Sequence, residues 1–140
     1  MTPGGLNLSY VKQLGAGQFG VANLVRSRKG EASCLKEVSV RTSDEAAKQK
    51  VLREVRLMKE ANHTNVVSFI DSWFERNRLF ILMEYCANGS LDNLIRHFST
   101  TTKRFTENKV LLFVNELSSA LMFMHESLHI MHRDLKPANV

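Results

Sequence analysis

The chain of 140 residues has only two cysteines, Cys34 and Cys86, and no run of 18 consecutive apolar residues. The cysteines fit neither a zinc-binding spacing nor a disulfide framework, which argues against a small secreted scaffold. The lack of a long apolar run argues against a transmembrane helix, and residues 1–5 lack the basic and apolar regions of a signal peptide. We therefore expect an intracellular, cytoplasmic protein without membrane contacts.

Charge is abundant, but it is not concentrated. Nineteen Lys and Arg against fourteen Asp and Glu give a net charge of +5, a balance that is compatible with a polyanionic partner such as nucleic acid. The basic residues are scattered, however, with only short clusters such as residues 26–29. We interpret them as solvated surface and expect no dedicated nucleic-acid binding. With 44% hydrophobic and 24% charged residues, the composition is that of one ordinary globular domain.

The pattern of apolar residues changes between Glu84 and Gly89. Before this point, short stretches with period-two alternation predict strands over residues 8–14, 21–25, 33–40, 66–74 and 79–85. Apolar residues at helical spacing predict helices over residues 42–61, 91–98 and 106–129. Thr42 and Glu45 resemble a capping box at the start of the first helix. The pattern therefore predicts an α+β fold, in which a five-stranded antiparallel sheet with one helix precedes a helical part.

A glycine cluster, Gly15, Gly17 and Gly20, follows the first predicted strand. Glycines at this spacing let backbone N–H groups approach phosphate oxygens, because no Cβ stands in the way. The same spacing also opens dinucleotide-binding folds, but there a helix must start at the cluster. The short stretch between Gly20 and the turn at Gly30 has no room for such a helix. We therefore predict two strands joined by a flap over phosphates.

Lys36 and Glu54 are expected to form an inward-facing ion pair. Lys36 lies two residues after Cys34 on a predicted strand, so the two side chains share a face. At about 100° per residue, Glu54 falls inside the apolar stripe that Val51 and Val55 define, where a carboxylate is costly unless it is paired. Such a pair would hold the Lys36 ammonium against a nucleotide phosphate. The alternatives are an exposed strand lysine and a glutamate at the edge of the stripe that reaches water.

The most specific signal in the chain is the string of residues 132–139, HRDLKPAN. It matches a catalytic signature. Phosphoryl transfer needs a carboxylate that orients a hydroxyl, a cation near the transferred group and an amide oxygen for Mg²⁺. Asp134, Lys136 and Asn139 supply these three groups within six residues.

With these motifs in this order, the chain resembles the first half of a eukaryotic-type protein kinase domain, from about Tyr10 to Val140. The resemblance implies a kinase N-lobe over residues 1–85, with five antiparallel strands and one helix. Over residues 86–140 it implies the hinge, the first helices and the catalytic loop of a C-lobe that is truncated after that loop. It further implies ATP-dependent transfer of the γ-phosphate to proteins with Ser or Thr acceptors, with ATP and Mg²⁺ as cofactors. Lys136 after Leu135 resembles the serine/threonine branch of the family.

The resemblance also assigns roles to individual residues. The loop over the phosphates would comprise Leu14, Gly15, Ala16, Gly17, Gln18, Phe19 and Gly20. The adenine pocket would involve Ala22, Cys34, the gatekeeper Met83, and backbone hydrogen bonds from Glu84 and Cys86. Lys36 would contact the α- and β-phosphates and pair with Glu54. Asp134 would be the catalytic base with Lys136 beside it, and Asn139 would be a magnesium ligand.

Some positions depart from the usual family pattern. The hinge over residues 84–91 is similar to that of the NIMA-related kinases, as is Ala22, where most kinases have valine. Cys34 replaces the usual alanine and would narrow the adenine pocket. No Asp-Phe-Gly segment follows Asn139 within the 140 residues, so a pseudokinase or a nucleotide-binding regulatory fragment remains an alternative. We therefore expect the 140-residue chain by itself to phosphorylate no protein.

Overall fold

The computed structural model describes residues 6–17, 20–40 and 45–140, except for the side chains of residues 45–48 and 50. The chain divides into two compact units. The sheet unit comprises Met1–Asn62 and Val67–Tyr85, and the helical unit comprises His63–Val66 and Cys86–Val140. The chain therefore enters the helical unit briefly at His63 before it completes the sheet.

Five antiparallel strands form the sheet, in the spatial order β1-β2-β3-β5-β4. Their bounds are Leu8–Gly17 for β1, Gly20–Ser27 for β2, Ala32–Ser39 for β3, Phe69–Glu75 for β4 and Arg78–Glu84 for β5. The register of β1 against β2 shifts between Tyr10 and Lys12 and again between Gln13 and Gly15. Such bulges bend a strand and are frequent at sheet edges, where β1 lies.

The turn between β4 and β5 follows from its sequence. Arg76 and Asn77 both have positive φ angles, 46° and 65°, as a two-residue type I′ hairpin turn requires. This turn twists in the same sense as the strands that it joins. The Asn77 carbonyl also accepts a hydrogen bond of 3.0 Å from the Val40 amide, which ties the end of β3 to the hairpin.

The core of the sheet unit lies between the sheet and helix α1, Glu45–Glu60. Its buried side chains are Val40, Val55, Leu79 and Ile81, and Leu79 is only 1% exposed. Val51 and Met58 pack against this cluster from α1. The apolar stripe that predicts the helix is therefore also the surface that docks it.

The helical unit contains α2, Leu91–Ser99, and α3, Glu107–Met122. A π-helical turn, Phe123–Ser127, follows α3 directly, and a 3₁₀ turn spans Pro137–Asn139. Among the residues described in this unit, only Ala120 is buried. Several large apolar side chains of α3 are exposed, namely Val110, Leu111, Leu112, Val114 and Met122.

The His63 side chain connects the short segment His63–Val66 to α3 and the π turn of the helical unit. The Asn65 amide donates to His63 Nδ1 at 3.1 Å, so Nδ1 is the unprotonated nitrogen and Nε2 carries the proton. Nε2 can then donate to the Ser119 hydroxyl of α3, which lies 3.2 Å away. The His63 ring also stacks on Phe123, with centroids 5.1 Å apart.

The structure confirms the predicted α+β class and its five-stranded antiparallel sheet. Three boundaries differ from the prediction by three residues or more. β1 continues to Gly17 instead of ending at residue 14, because its pairing with β2 extends to Gly20. β4 begins at Phe69 instead of residue 66, because His63–Val66 belongs to the other unit. α3 ends at Met122 instead of residue 129, because a π turn follows and His129 then takes a left-handed conformation with φ 54°. Apolar spacing continues through the turn and cannot reveal it.

In the part of the chain that the structure describes, no helix is both long enough and apolar enough to cross a membrane. The predicted cap residue Thr42 lies outside the described residues, as do Gln18 and Phe19 of the glycine loop.

Candidate functional site

The glycine cluster lies where β1 turns into β2. Gly17 and Gly20 are the last paired residues of this hairpin. Gly20 has a φ angle of 118°, and a Cβ at this position would clash with the carbonyl oxygen of Glu37 on β3. A Cβ at Gly15 or Gly17 would have no neighbour within 4 Å. Gly20 therefore holds the hairpin close to β3, while Gly15 and Gly17 leave an open backbone that a phosphate could approach.

The residues expected to contact adenine share one face of the sheet. Cys34 is paired with Leu24 on one side and with Met83 on the other, and residues directly opposite in an antiparallel pair share a face. Ala22 is paired with Lys36, which is two residues from Cys34 and so points the same way. The strand register thus brings Ala22, Cys34, Lys36 and Met83 to a common face.

Other predicted site residues and their neighbours have positions in the sheet that agree with this arrangement. Leu35 is paired with Asn23 and Leu82 on the opposite face, as strand alternation predicts. Leu14 lies at a bulge in β1 and is 40% exposed, and Ala16 is paired with Val21.

Glu54 is not brought to Lys36. Lys36 is half-buried, whereas Glu54 is exposed, and no ion pair joins the two among the residues described. Glu54 is one residue before the buried Val55, about 100° around the helix from it. From this edge of the apolar stripe its carboxylate reaches water. The expectation of an inward-facing Glu54 is therefore wrong for this conformation, and the edge-glutamate alternative describes it.

Two hydrogen bonds connect Glu84 to Ser68, the residue just before β4. The Ser68 amide donates to Glu84 Oε2 at 3.2 Å, and the Glu84 amide donates to the Ser68 carbonyl at 2.9 Å. Because the Glu84 N–H is occupied, an adenine contact by this residue would use its carbonyl oxygen. Sequence reasoning missed Ser68, since no spacing rule relates residues 16 positions apart. Cys86, in the helical unit, is exposed, and its carbonyl accepts from the Gly89 amide at 3.2 Å.

In the helical unit, Asp134 is the centre of a local polar cluster. Lys136 Nζ donates to Asp134 Oδ1 at 2.9 Å. Asn139 Nδ2 donates to Asp134 Oδ2 at 2.9 Å and to the Asp134 carbonyl at 2.7 Å. The Asp134 amide itself donates to His132 Nδ1 at 3.3 Å. The structure thus brings together the three residues that the string 132–139 predicts for phosphoryl transfer.

These contacts lower the pKa of the Asp134 carboxyl below its ordinary value. The hydrogen bond from Lys136 is the largest cause and the one from Asn139 the next, because both stabilise the ionised form. The Asp134 side chain is exposed, so it can meet a hydroxyl group of another molecule. It is therefore an ionised hydrogen-bond acceptor at neutral pH.

Asn139 fits the expected role of a magnesium ligand. Its Nδ2 faces Asp134, so its Oδ1 is turned away from that carboxylate, and amide oxygens are suitable Mg²⁺ ligands. No group of three or more His, Cys, Asp or Glu side chains that could hold a metal occurs within the described ranges. Asn139 Oδ1 could therefore be a single protein ligand of a hydrated Mg²⁺ ion whose other ligands include phosphate oxygens.

Comparison with known proteins agrees with this arrangement. The sequence pattern of the protein kinase domain matches residues 8–140. An Aurora kinase of Yarrowia lipolytica is 34% identical over 131 residues, which are 92% of this chain and 34% of that protein. The serine/threonine-protein kinase Nek5 of Mus musculus is 33% identical over 135 residues, 96% of this chain and 20% of that protein.

Nek1 of Toxoplasma gondii is 33% identical over 138 residues, 93% of this chain and 9% of that protein. Relatives named Nek are thus among the matches, as the similarity of the hinge predicts. The chain spans about a third or less of the length of these three relatives.

Proposed function

The chain belongs to the protein kinase family. We propose that it binds Mg²⁺ and ATP and forms part of a kinase domain that phosphorylates serine and threonine hydroxyls in proteins. The observation that carries this proposal is the cluster of Asp134, Lys136 and Asn139. Support for the acceptor type comes from Lys136 after Leu135 and from relatives named serine/threonine-protein kinases. Because the proposed reaction uses ATP, we place the chain inside the cell as part of the same proposal.

The sheet unit would bind the nucleotide. Ala22, Cys34 and Met83 offer an apolar surface for adenine on the face that also carries Lys36. At Gly15 and Gly17 no side chain hinders the approach of phosphate oxygens to the backbone. The Lys36 ammonium would contact the α- and β-phosphates, as the family resemblance implies. The pair between Lys36 and Glu54 stays a prediction for the nucleotide-bound chain.

The helical unit would supply the catalytic groups. The ionised Asp134 accepts a hydrogen bond from the acceptor hydroxyl and takes its proton as the oxygen attacks the γ-phosphorus. The bond from that phosphorus to the β–γ bridging oxygen breaks, and ADP is the leaving group. Lys136, now on Asp134 Oδ1, supplies positive charge near the transferred group. Asn139 would hold Mg²⁺, which when bound neutralises charge on the phosphate oxygens.

A binding experiment on the 140-residue chain tests the nucleotide site. We expect calorimetry with magnesium and a non-hydrolysable ATP analogue to detect binding that Lys36→Met weakens by about 10- to 100-fold, as for the loss of a charge-assisted hydrogen bond. The matched control is Lys29→Met, which removes the same charge from the exposed turn after β2 and should bind like the wild type. Equal affinity of the two variants would contradict the role of Lys36.

Phosphoryl transfer is tested on a chain that extends through a whole kinase domain. We expect Asp134→Asn to lower transfer to protein serine and threonine by about 10²- to 10⁴-fold, the usual contribution of a general base. Phosphoamino acid analysis identifies the acceptor. Undiminished transfer by Asp134→Asn would overturn the mechanism. Nucleotide binding without any transfer would instead support the regulatory alternative.

A further inference from the structure

The N-terminus of helix α2 is fixed by an unusually complete cap. The Asn93 amide donates to Ser90 Oγ at 3.3 Å, and the Ser90 amide donates back to Asn93 Oδ1 at 3.0 Å. The Ser90 hydroxyl also donates to Asn93 Oδ1, at 2.8 Å. Gly89, with φ 74°, makes room for this arrangement, since a Cβ there would lie 3.1 Å from Asn93 Oδ1. These reciprocal bonds form a capping box with asparagine in place of the usual Glu or Gln.

The first helical residue of α2 donates its amide to the segment that follows the catalytic loop. The Leu91 N–H has no partner within the helix, as is general for a first turn. It donates to the Val140 carbonyl oxygen at 2.7 Å. The 3₁₀ turn Pro137–Asn139 packs on α2, and the side chains of Leu91 and Val140 line the same apolar cavity. The start of α2 and the end of the loop are therefore joined by both backbone and side chains.

Val140 directly follows Asn139, so its anchor limits where Asn139 can lie. The Asn139 amide donates to the Lys136 carbonyl at 2.9 Å, and its side chain donates twice to Asp134. A continuous series of bonds thus leads from the cap through Leu91 and Val140 to the two polar groups of the catalytic cluster. Every residue of this series belongs to the helical unit.

We propose that Ser90 and Asn93 are positioning residues, which hold Asn139 and Asp134 in place through the bond from the Leu91 amide to the Val140 carbonyl. The inference rests on the proposed function, because it concerns how the magnesium-binding and base residues are oriented. Without the cap, the first turn of α2 frays, and the Leu91 amide no longer has a fixed direction. Asn139 then loses its anchor.

The decisive variants are Ser90→Ala and Asn93→Ala. Ser90→Thr and Asn93→Asp keep the capping oxygens and serve as rescue variants. Thr106→Ala is the matched control, because Thr106 caps α3 by one bond from the Lys109 amide, 3.3 Å long. Within the residues described, the first turn of α3 donates no backbone hydrogen bond to residues 131–140. The control therefore removes a cap of the same chemistry that lies outside the series.

The first measurement is amide hydrogen exchange by NMR on the chain without ligands. Exchange at Leu91 and Asn139 should become at least about tenfold faster in both alanine variants. It should stay at the wild-type rate in Thr106→Ala and return to that rate in the rescue variants. Unchanged exchange at Asn139 in Ser90→Ala, or an equal rise in Thr106→Ala, would overturn the positioning role.

The second measurement is the gain in ADP affinity that magnesium produces. Substitution of a residue that supports a metal ligand typically lowers metal affinity by about 10- to 100-fold. The gain should therefore shrink by about tenfold or more in Ser90→Ala and persist in Thr106→Ala. The gain is the ratio of the ADP affinities with and without magnesium, so an effect on metal-free ADP binding alone cancels out. An equal loss with and without magnesium would contradict the proposal. If the wild type bound no nucleotide, the proposed function would fail, and the exchange data would still decide the positioning role.

Discussion

The sheet unit and the helical unit hold their proposed functional residues by different means. In the sheet unit, strand register places Ala22, Lys36 and Met83 on one face, and a buried core fixes the strands themselves. In the helical unit, Asp134 and Asn139 are exposed and are held by hydrogen bonds between near neighbours. The first arrangement depends on global stability, whereas the second can be disturbed without unfolding the chain.

The largest expected effect is a loss of stability, and it is tested by making the same Leu→Ala substitution once in each unit. Leu79→Ala empties a fully buried position in the sheet unit and should lower the free energy of unfolding by about 3–5 kcal/mol. Leu111→Ala removes the same atoms from α3, where the side chain is 51% exposed, and should cost less than about 1 kcal/mol. Urea denaturation of both variants measures the difference. Equal losses of unfolding free energy would show that Leu111 contributes as much to stability as the buried Leu79.

A second substitution tests the close approach between β2 and β3. Gly20→Ala introduces a Cβ that clashes with the Glu37 carbonyl, at a φ angle of 118°. We expect a loss of about 2–4 kcal/mol, the sum of backbone strain and overpacking. Gly15→Ala is the control, because its Cβ would meet nothing within 4 Å. Thermal unfolding compares the two variants, and a Gly20→Ala variant as stable as Gly15→Ala would contradict the close packing.

These contrasts explain how far the sequence could predict the structure. The strands are predictable because alternation and turn residues are local signals, and the register then follows from which residues face the core. The catalytic cluster is predictable because all its bonds join residues within 132–139. The Ser119–His63 contact spans 56 positions, and no local pattern indicates such a partner.

Two of the differences between prediction and structure have specific physical causes. Helical periodicity predicts an inward Glu54 because it assigns an angle only. It does not account for the reach of a long side chain, which at the edge of a stripe extends to water. Apolar spacing predicts a longer α3 because apolar residues continue through the π turn, Phe123–Ser127, up to Leu128. In both cases the periodic signal is present, but tertiary context decides the structure.

A smaller effect on stability is expected at His129, which follows the π turn. His129 has a φ angle of 54°, a conformation that costs a non-glycine residue about 1–2 kcal/mol. A hydrogen bond between its ring Nδ1 and the His125 carbonyl, 3.3 Å long, offsets part of this cost. His129→Gly should therefore stabilise the chain by less than about 1 kcal/mol.

The comparison for His129→Gly is Asn77→Gly in the sheet unit, where φ is 65°. Asparagine tolerates this conformation, so the exchange should leave the free energy of unfolding within about 0.5 kcal/mol of the wild type. Chemical denaturation measures both variants. If His129→Gly is destabilising, the ring hydrogen bond outweighs the backbone strain.

The smallest effect on stability should come from the ionisation of Asp134, because this carboxyl is exposed and screened by solvent. Its pKa is lowered first by the Lys136 hydrogen bond and next by that of Asn139, with a weaker contribution from the charge of His132. A lowered pKa in the folded state stabilises the fold above the pKa of the unfolded chain. The stabilisation is lost as the pH falls through the folded-state pKa.

Carbon-detected NMR titration of the Asp134 carboxyl tests this order of causes. We expect Lys136→Met to raise the pKa towards its ordinary value more than Asn139→Ala does. Lys103→Met, an equal change of charge in the loop before α3, should leave the pKa where it is. The acid limb of the stability curve should flatten slightly in Lys136→Met, since less stabilisation remains to be lost. A larger rise in Asn139→Ala would mean that the amide, and not the ammonium, chiefly holds the carboxylate. The conformation of the loop would then depend more on the Asn139 side chain than on that of Lys136.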